Sequence, residues 1–127
     1  MKNKICLVSG GFDPLHRGHI EYFKAAKKLS GYLVVAVNSD EWLIDKKNYH
    51  FMPWEERASI IENLEVVDEV ISFDDKDKTA SDAIEKSLKI SEKVIFANGG
   101  DRGEGNCPEL DRYQSNERVE WEFGVGG

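Results

Sequence analysis

Two histidines three positions apart, His16 and His19, follow Gly10-Gly11 and flank Gly18. An apolar run, Ile5 to Val8, precedes the turn, and a helix-like segment, Ile20 to Leu29, follows it. A glycine-rich strand-to-helix turn leaves backbone N–H groups facing an anion, and the helix N-terminus adds partial positive charge. Both imidazoles project near that point, and Gly18 leaves room for a phosphate between them. A lone histidine at a helix start is commonly a polar surface residue, but a pair around glycine in this setting is specific. Gly10, Gly11, Phe12 and Gly18 therefore read as a nucleoside triphosphate cradle.

One chemistry that such a cradle could serve is nucleotidyl transfer. An oxygen nucleophile attacks the α-phosphorus in line with departing pyrophosphate. If the nucleophile is a substrate phosphate, it is already anionic at pH 7 and needs no general base, and catalysis becomes positioning plus charge neutralisation. His16 and His19 would donate to the phosphates. A partly protonated imidazole would serve better still, and a nearby anion raises its pKa. Mg²⁺ is expected on the triphosphate oxygens. Asp13 is the nearest carboxylate and stays open between a ligand-side role and a turn former before Pro14.

Strand-like runs at 4–9, 32–37, 69–73, 94–97 and 118–125 alternate with helical stripes. Ile20, Phe23, Ala26 and Leu29 form one stripe. Trp54, Ala58, Ile61 and Leu64 form a second behind Pro53, and Ala80, Ala83, Ile84 and Leu88 a third, with Thr79 as its N-cap. The first, second and fourth runs are almost continuously apolar, as parallel strands covered on both faces are. This predicts an α/β, Rossmann-like, doubly wound, mainly parallel five-stranded sheet in one domain, 1–127. Residues 118–125 alternate apolar and charged, as a half-exposed edge strand does. Ligands bind such sheets beyond the carboxyl ends of the strands. Those ends are Gly10-Gly11, Asn38-Ser39-Asp40 and Asn98-Gly99-Gly100-Asp101-Arg102. Gly99, Gly100, Asp101 and Arg102 are thus expected to read the nucleotide, and Asp40, Trp42 and the Thr79 region to line an acceptor pocket. Arg57 either reaches the site or pairs with a neighbouring glutamate. The stretch 103–109 reads as a polar flexible loop.

The run Gly10-Gly11-Phe12-Asp13-Pro14-Leu15-His16-Arg17-Gly18-His19 resembles the G-x-F-D-x-x-H-x-G-H signature of the cytidylyltransferase-like nucleotidyltransferases. The likeness continues through 33–41, 53–57 and 67–71 and covers most of residues 4–102. The resemblance implies an enzyme that joins a nucleoside triphosphate to a phosphorylated small alcohol or sugar. It places a phosphate-binding lysine on Lys46 or Lys47, in the loop before Pro53, and it implies a homodimer. CTP is the favoured donor. ATP is the alternative, because Leu64 to Asp68 resembles the heptose-phosphate branch, while Tyr49-His50 leans towards the glycerol-phosphate branch. A third reading is a nucleotide-binding module without turnover. The Ser/Thr-rich motif that family members carry after the last strand does not occur before Gly127. A truncated chain is the expectation that follows.

A net charge of −7 argues against a nucleic-acid surface. Triphosphate binding depends on local charge instead, because screening acts over about 8 Å at physiological salt. Arg17, Lys46, Lys47, Arg57 and Arg102 would supply it. There is no 18-residue apolar run, and the apolar stretch behind Met1 to Lys4 is too short for a signal peptide. Cys6 and Cys107 read as reduced thiols, which fits a cytoplasmic protein.

Overall fold

Continuous apolar runs become the three central strands. In the computed structural model, which describes residues 1–100 and 102–127, these are β1 (Lys2–Gly10), β2 (Leu33–Val37) and β4 (Ser91–Ala97). With β3 (Glu69–Ile71) and β5 (Val119–Glu122) they form one five-stranded sheet in the order β3-β2-β1-β4-β5. Every pairing is parallel, the β5 edge included. Residues 5–8 of β1 are completely buried, because helices cover both faces. Cys6 and Val8 face α1 (Arg17–Ser30) and α3 (Trp54–Glu62), where Phe23, Ala26 and Ile61 meet them. Ile5 and Leu7 face α4 (Ser81–Leu88) and α5 (Glu109–Tyr113), which contribute Ala83, Ile84 and Tyr113. The crossovers switch direction between β1 and β4, so a crevice opens at their carboxyl ends.

Local chemistry sets the element ends. Gly31 ends α1 in the left-handed conformation at φ 82°, and Lys27 and Lys28 complement the helix C-terminus. Val119 of β5 is buried whereas Glu122 is exposed, as an edge strand requires.

Three expectations need correction. The segment holding Lys46 and Lys47 is a helix, α2 (Asp40–Lys47), and not a loop. It buries only Leu43, so no apolar stripe marks it; its signals are the ends. Ser39 Oγ accepts from the Trp42 N–H at 3.0 Å, with acids in the first turn and lysines in the last. Thr79 is not the N-cap of α4: Ala80 holds that place, and Thr79 Oγ1 accepts from the Ser81 N–H. The polar stretch after 102 is ordered into a 3₁₀ turn (Glu104–Asn106) leading to α5. Buried Cys107 and Glu109 hold it in place. Both cysteines are free thiols. Among the described residues no helix is long and apolar enough to cross a membrane.

Candidate active site

His16 is the N-cap of α1, with extended backbone, and its Nδ1 accepts from the Gly18 N–H at 3.1 Å. His19 Nδ1 accepts in turn from the His16 N–H at 3.1 Å. The two rings stack with centroids 3.8 Å apart. Each Nδ1 lone pair is thus engaged by the backbone, which puts the proton of a neutral imidazole on Nε2. Two N–H donors therefore stand side by side at a helix N-terminus. Gly18 is required by this arrangement, because a Cβ there would lie 2.9 Å from His16 Cε1. Phe12, edge-on to His19 at 5.0 Å and to Phe23 at 5.1 Å, wedges the second imidazole in place. Burial, and then the charge of His16, push the His19 pKa down to about 4. A partly protonated His19 is therefore not the state of the free protein at pH 7. It is a neutral donor.

The two lysines have different fates. Lys47 Nζ donates to the Asp13 carbonyl at 2.9 Å and pairs with the Asp13 carboxylate at 3.1 Å. Lys46 Nζ lies 4.7 Å from the centre of the Trp42 ring and has no carboxylate partner among the described residues. Of the two, Lys46 retains donors for a phosphate.

Asp13 belongs to the scaffold. Its carboxylate accepts from the Met52 N–H at 2.7 Å and from the Phe51 N–H. Burial raises its pKa, but these amides and Lys47 outweigh burial and hold it below the usual carboxylate value. The carboxylate bonds neither its own turn nor a neighbour in sequence: its amide partners are 38 and 39 residues away, and Asp13 also lines the cavity. Arg57 is only 1% exposed. Its guanidinium donates to the carbonyls of Met52, Gly11 and Asn38 and to Asp40 Oδ1 at 2.6 Å. Arg57 and Asp40 thus lie under the cavity and not in its lining. Their partners are three carbonyls and each other, and not the neighbouring glutamates. Asp75 also holds the floor: it accepts from Asn38 Nδ2, the Ser39 N–H and Ser39 Oγ at 2.7–3.0 Å. No spacing in the sequence marks Asp75, since its partners are 36 and 37 residues away.

Beyond β4, Arg102 donates to Glu109 Oε1 at 2.9 Å, and Glu109 Oε2 accepts from the Ala80 N–H at 2.6 Å. Glu109 is 1% exposed and was not foreseen; its only sequence signal is its place after Pro108. Burial, and then Glu109, raise the Cys107 pKa, so this thiol stays protonated at pH 7.

All these elements enclose one cavity of about 840 Å³. Gly10, Gly11, Phe12, Asp13, His16, Gly18 and His19 line it on the motif side. Lys46 and Lys47 face them, and Gly99, Gly100 and Arg102 close the β4 side. Asp101, expected beside them, lies outside the described residues. Trp42 and Thr79 are in the lining as expected. The size suits a nucleotide with a small second substrate.

The geometry agrees with the comparisons. Over 87 residues the chain is 36% identical to glycerol-3-phosphate cytidylyltransferase of Bacillus subtilis (strain 168), covering 68% of this chain and 67% of that one. It is 34% identical to bifunctional protein HldE of Hahella chejuensis over 98% of its own length, but spans only 23% of that protein. A FAD synthase of Ferroglobus placidus is 40% identical over 58% of this chain and 48% of its own. In fold, the crystal structure of the lipopolysaccharide core biosynthesis protein from Thermoplasma volcanium GSS1 superposes with a TM-score of 0.71 at 24% identity, covering 97% and 94% of the two chains. The cytidylyltransferase-like family model matches residues 7–119, from the middle of β1 to the start of β5. With the histidine pair seated where that signature places it, this chain belongs to the cytidylyltransferase-like family of nucleotidyltransferases.

Proposed function

We propose that the chain transfers a nucleotidyl group from a nucleoside triphosphate to a phosphorylated small alcohol or sugar, releasing pyrophosphate. The observation that carries this reading is the stacked pair of Nε2–H donors at the N-terminus of α1. An acceptor phosphate oxygen attacks the α-phosphorus. The bond to the bridging oxygen breaks, and pyrophosphate leaves with its electrons. His16 and His19 donate to oxygens on which charge grows during that step, and Lys46 supplies a nearby cation. Such preorganised donors lower the barrier because they need no reorganisation. Gly10, Gly11 and Gly18 let the phosphates approach the backbone, while Gly99 and Gly100 make room for the nucleoside.

CMP is the favoured group, supported by the similarity to a glycerol-3-phosphate cytidylyltransferase. Transfer from ATP is the second reading, supported by the similarity to a FAD synthase, whose product contains an adenylyl group. Mg²⁺ belongs to this proposal as the companion of the triphosphate substrate, held mainly by phosphate oxygens. A homodimer and a cytoplasmic location, implied by the resemblance and by the reduced thiols, complete the proposal.

Pyrophosphate release from CTP and from ATP, with glycerol 3-phosphate or a sugar 1-phosphate as acceptor, tests it. Release with one donor–acceptor pair is expected. Nucleotide binding without any release would favour the binding module instead.

A further inference from the structure

The cavity straddles the carboxyl edge of the sheet, and its two sides differ in chemistry. His16 and His19 belong to α1, on the face lined by Cys6 and Val8, where Tyr22 and Val125 also pack. Strand alternation puts Asn98 on the opposite face, with Phe96, and there Arg102, Cys107 and Glu109 gather. In-line displacement requires the leaving pyrophosphate and the attacking oxygen to stand on opposite sides of the α-phosphorus. If the histidines hold the leaving side, the attacking phosphate enters from the face that carries Arg102.

Arg102 is built for that work. Its side chain is 30% exposed and lines the cavity, yet it donates to Glu109 Oε1 at 2.9 Å, with longer contacts of 3.4 Å from Nε to Asn106 O and from Nη1 to Asn98 Oδ1. Among the described residues, one N–H on each terminal nitrogen remains for a phosphate oxygen. Glu109, buried to 1% exposure, reaches from α5 to Arg102 on one oxygen and to the Ala80 N–H on the other. One carboxylate thus fixes the loop after β4 against the start of α4, and with it the orientation of the guanidinium. The Lys46 ammonium, in the same cavity, keeps the local balance favourable to an anion.

We propose that Arg102 binds the phosphate of the acceptor rather than the nucleotide, and that Glu109 is the positioning residue that aims it. This rests on the transfer reading above. The full chain, saturated with a non-hydrolysable CTP or ATP analogue, is titrated with inorganic phosphate and followed by the ¹H–¹⁵N signals of the Ala80 amide and the Arg102 Nε–H. In the wild type both signals should move saturably. Arg102→Met should weaken phosphate at least tenfold, and Glu109→Gln, which keeps an oxygen for Ala80 but removes the charge facing Arg102, should do the same. The double variant should be no worse than Arg102→Met alone, because Glu109 acts through Arg102. Nucleotide affinity should stay within threefold in all three.

Phosphate affinity unchanged by Arg102→Met, or losses that add in the double variant, would overturn the assignment. A tenfold loss of nucleotide affinity in Arg102→Met would return Arg102 to the nucleotide. Failure of the wild type to bind either analogue would instead refute the transfer reading itself, and this proposal with it.

Discussion

At the N-terminus of α1, each cavity-lining histidine gives Nδ1 to a backbone amide and keeps its Nε2–H unspent. Beneath the same cavity, Arg57 uses four of its five donors on three carbonyls and Asp40, and Asp75 accepts three hydrogen bonds. Both regions are polar and adjoin the motif, yet only the first lines the cavity with donors still to offer. Charge near a motif does not make a ligand contact; unused hydrogen-bonding capacity in the cavity lining does. A buried cation whose donors are spent below the cavity lining is scaffold, whereas a cavity-lining imidazole with one free N–H is a binding group.

Breaking the scaffold should cost stability. Arg57→Met leaves three carbonyls and Asp40 without their donor, and by the usual cost of breaking a buried ion pair it should lower unfolding free energy by about 3–5 kcal/mol. Urea denaturation measures it; a loss under 1 kcal/mol would mean that Arg57 is not the clamp it resembles. Breaking the motif should instead cost turnover. His16→Ala or His19→Ala should cut pyrophosphate release about 10²–10³-fold, the effect of removing one preorganised donor. Unchanged rates in both variants would dissolve the contrast.

Smaller effects sharpen it. Asp75→Ala should cost about 1–3 kcal/mol, because it strands buried donors of Asn38 and Ser39. The lysines should split: Lys46→Met should lower turnover about tenfold through a lost charge-assisted bond, while Lys47→Met should act on thermal stability. Equal kinetic losses in the two would argue that Lys47 leaves Asp13 when substrate arrives.

The slightest effect is on pH dependence. His19 is held neutral down to about 4, whereas the unfolded chain binds that proton near the ordinary value of 6.5. The unfolded state therefore carries the extra proton between those values, and stability falls as pH drops from 6.5 towards 4. The lowered Asp13 pKa acts at more acid pH, below the ordinary carboxylate value of 3.8, so it does not mask this window. His19→Gln should flatten the slope in chemical denaturation series between pH 4 and 6.5. An unaltered slope would assign it to other groups.

Much of this was legible in the sequence. Continuous apolar runs marked β1, β2 and β4, and the histidine pair marked the helix start, because both signals are local. Helix α2 escaped because it covers no core beyond Leu43, and its evidence lies in Ser39 and the ordering of Asp40, Glu41, Lys46 and Lys47. Arg57 could not be decided from sequence. Its partners Gly11 and Asn38 are 46 and 19 residues away, so only the closed sheet brings those carbonyls together. Glu109 and Asp75 were invisible for the same reason. Carboxylates in polar stretches look solvated until a distant backbone amide is placed against them.

The contrast between the two regions can be read in one titration. Side-chain ¹⁵N spectra of the wild type would be recorded as CTP, and separately ATP, is added with Mg²⁺. Nε2 of both His16 and His19 should move saturably with the nucleotide that is the donor, while Arg57 Nε stays in place. Histidine signals that ignore both nucleotides, or an Arg57 signal that moves as far as theirs, would contradict that contrast.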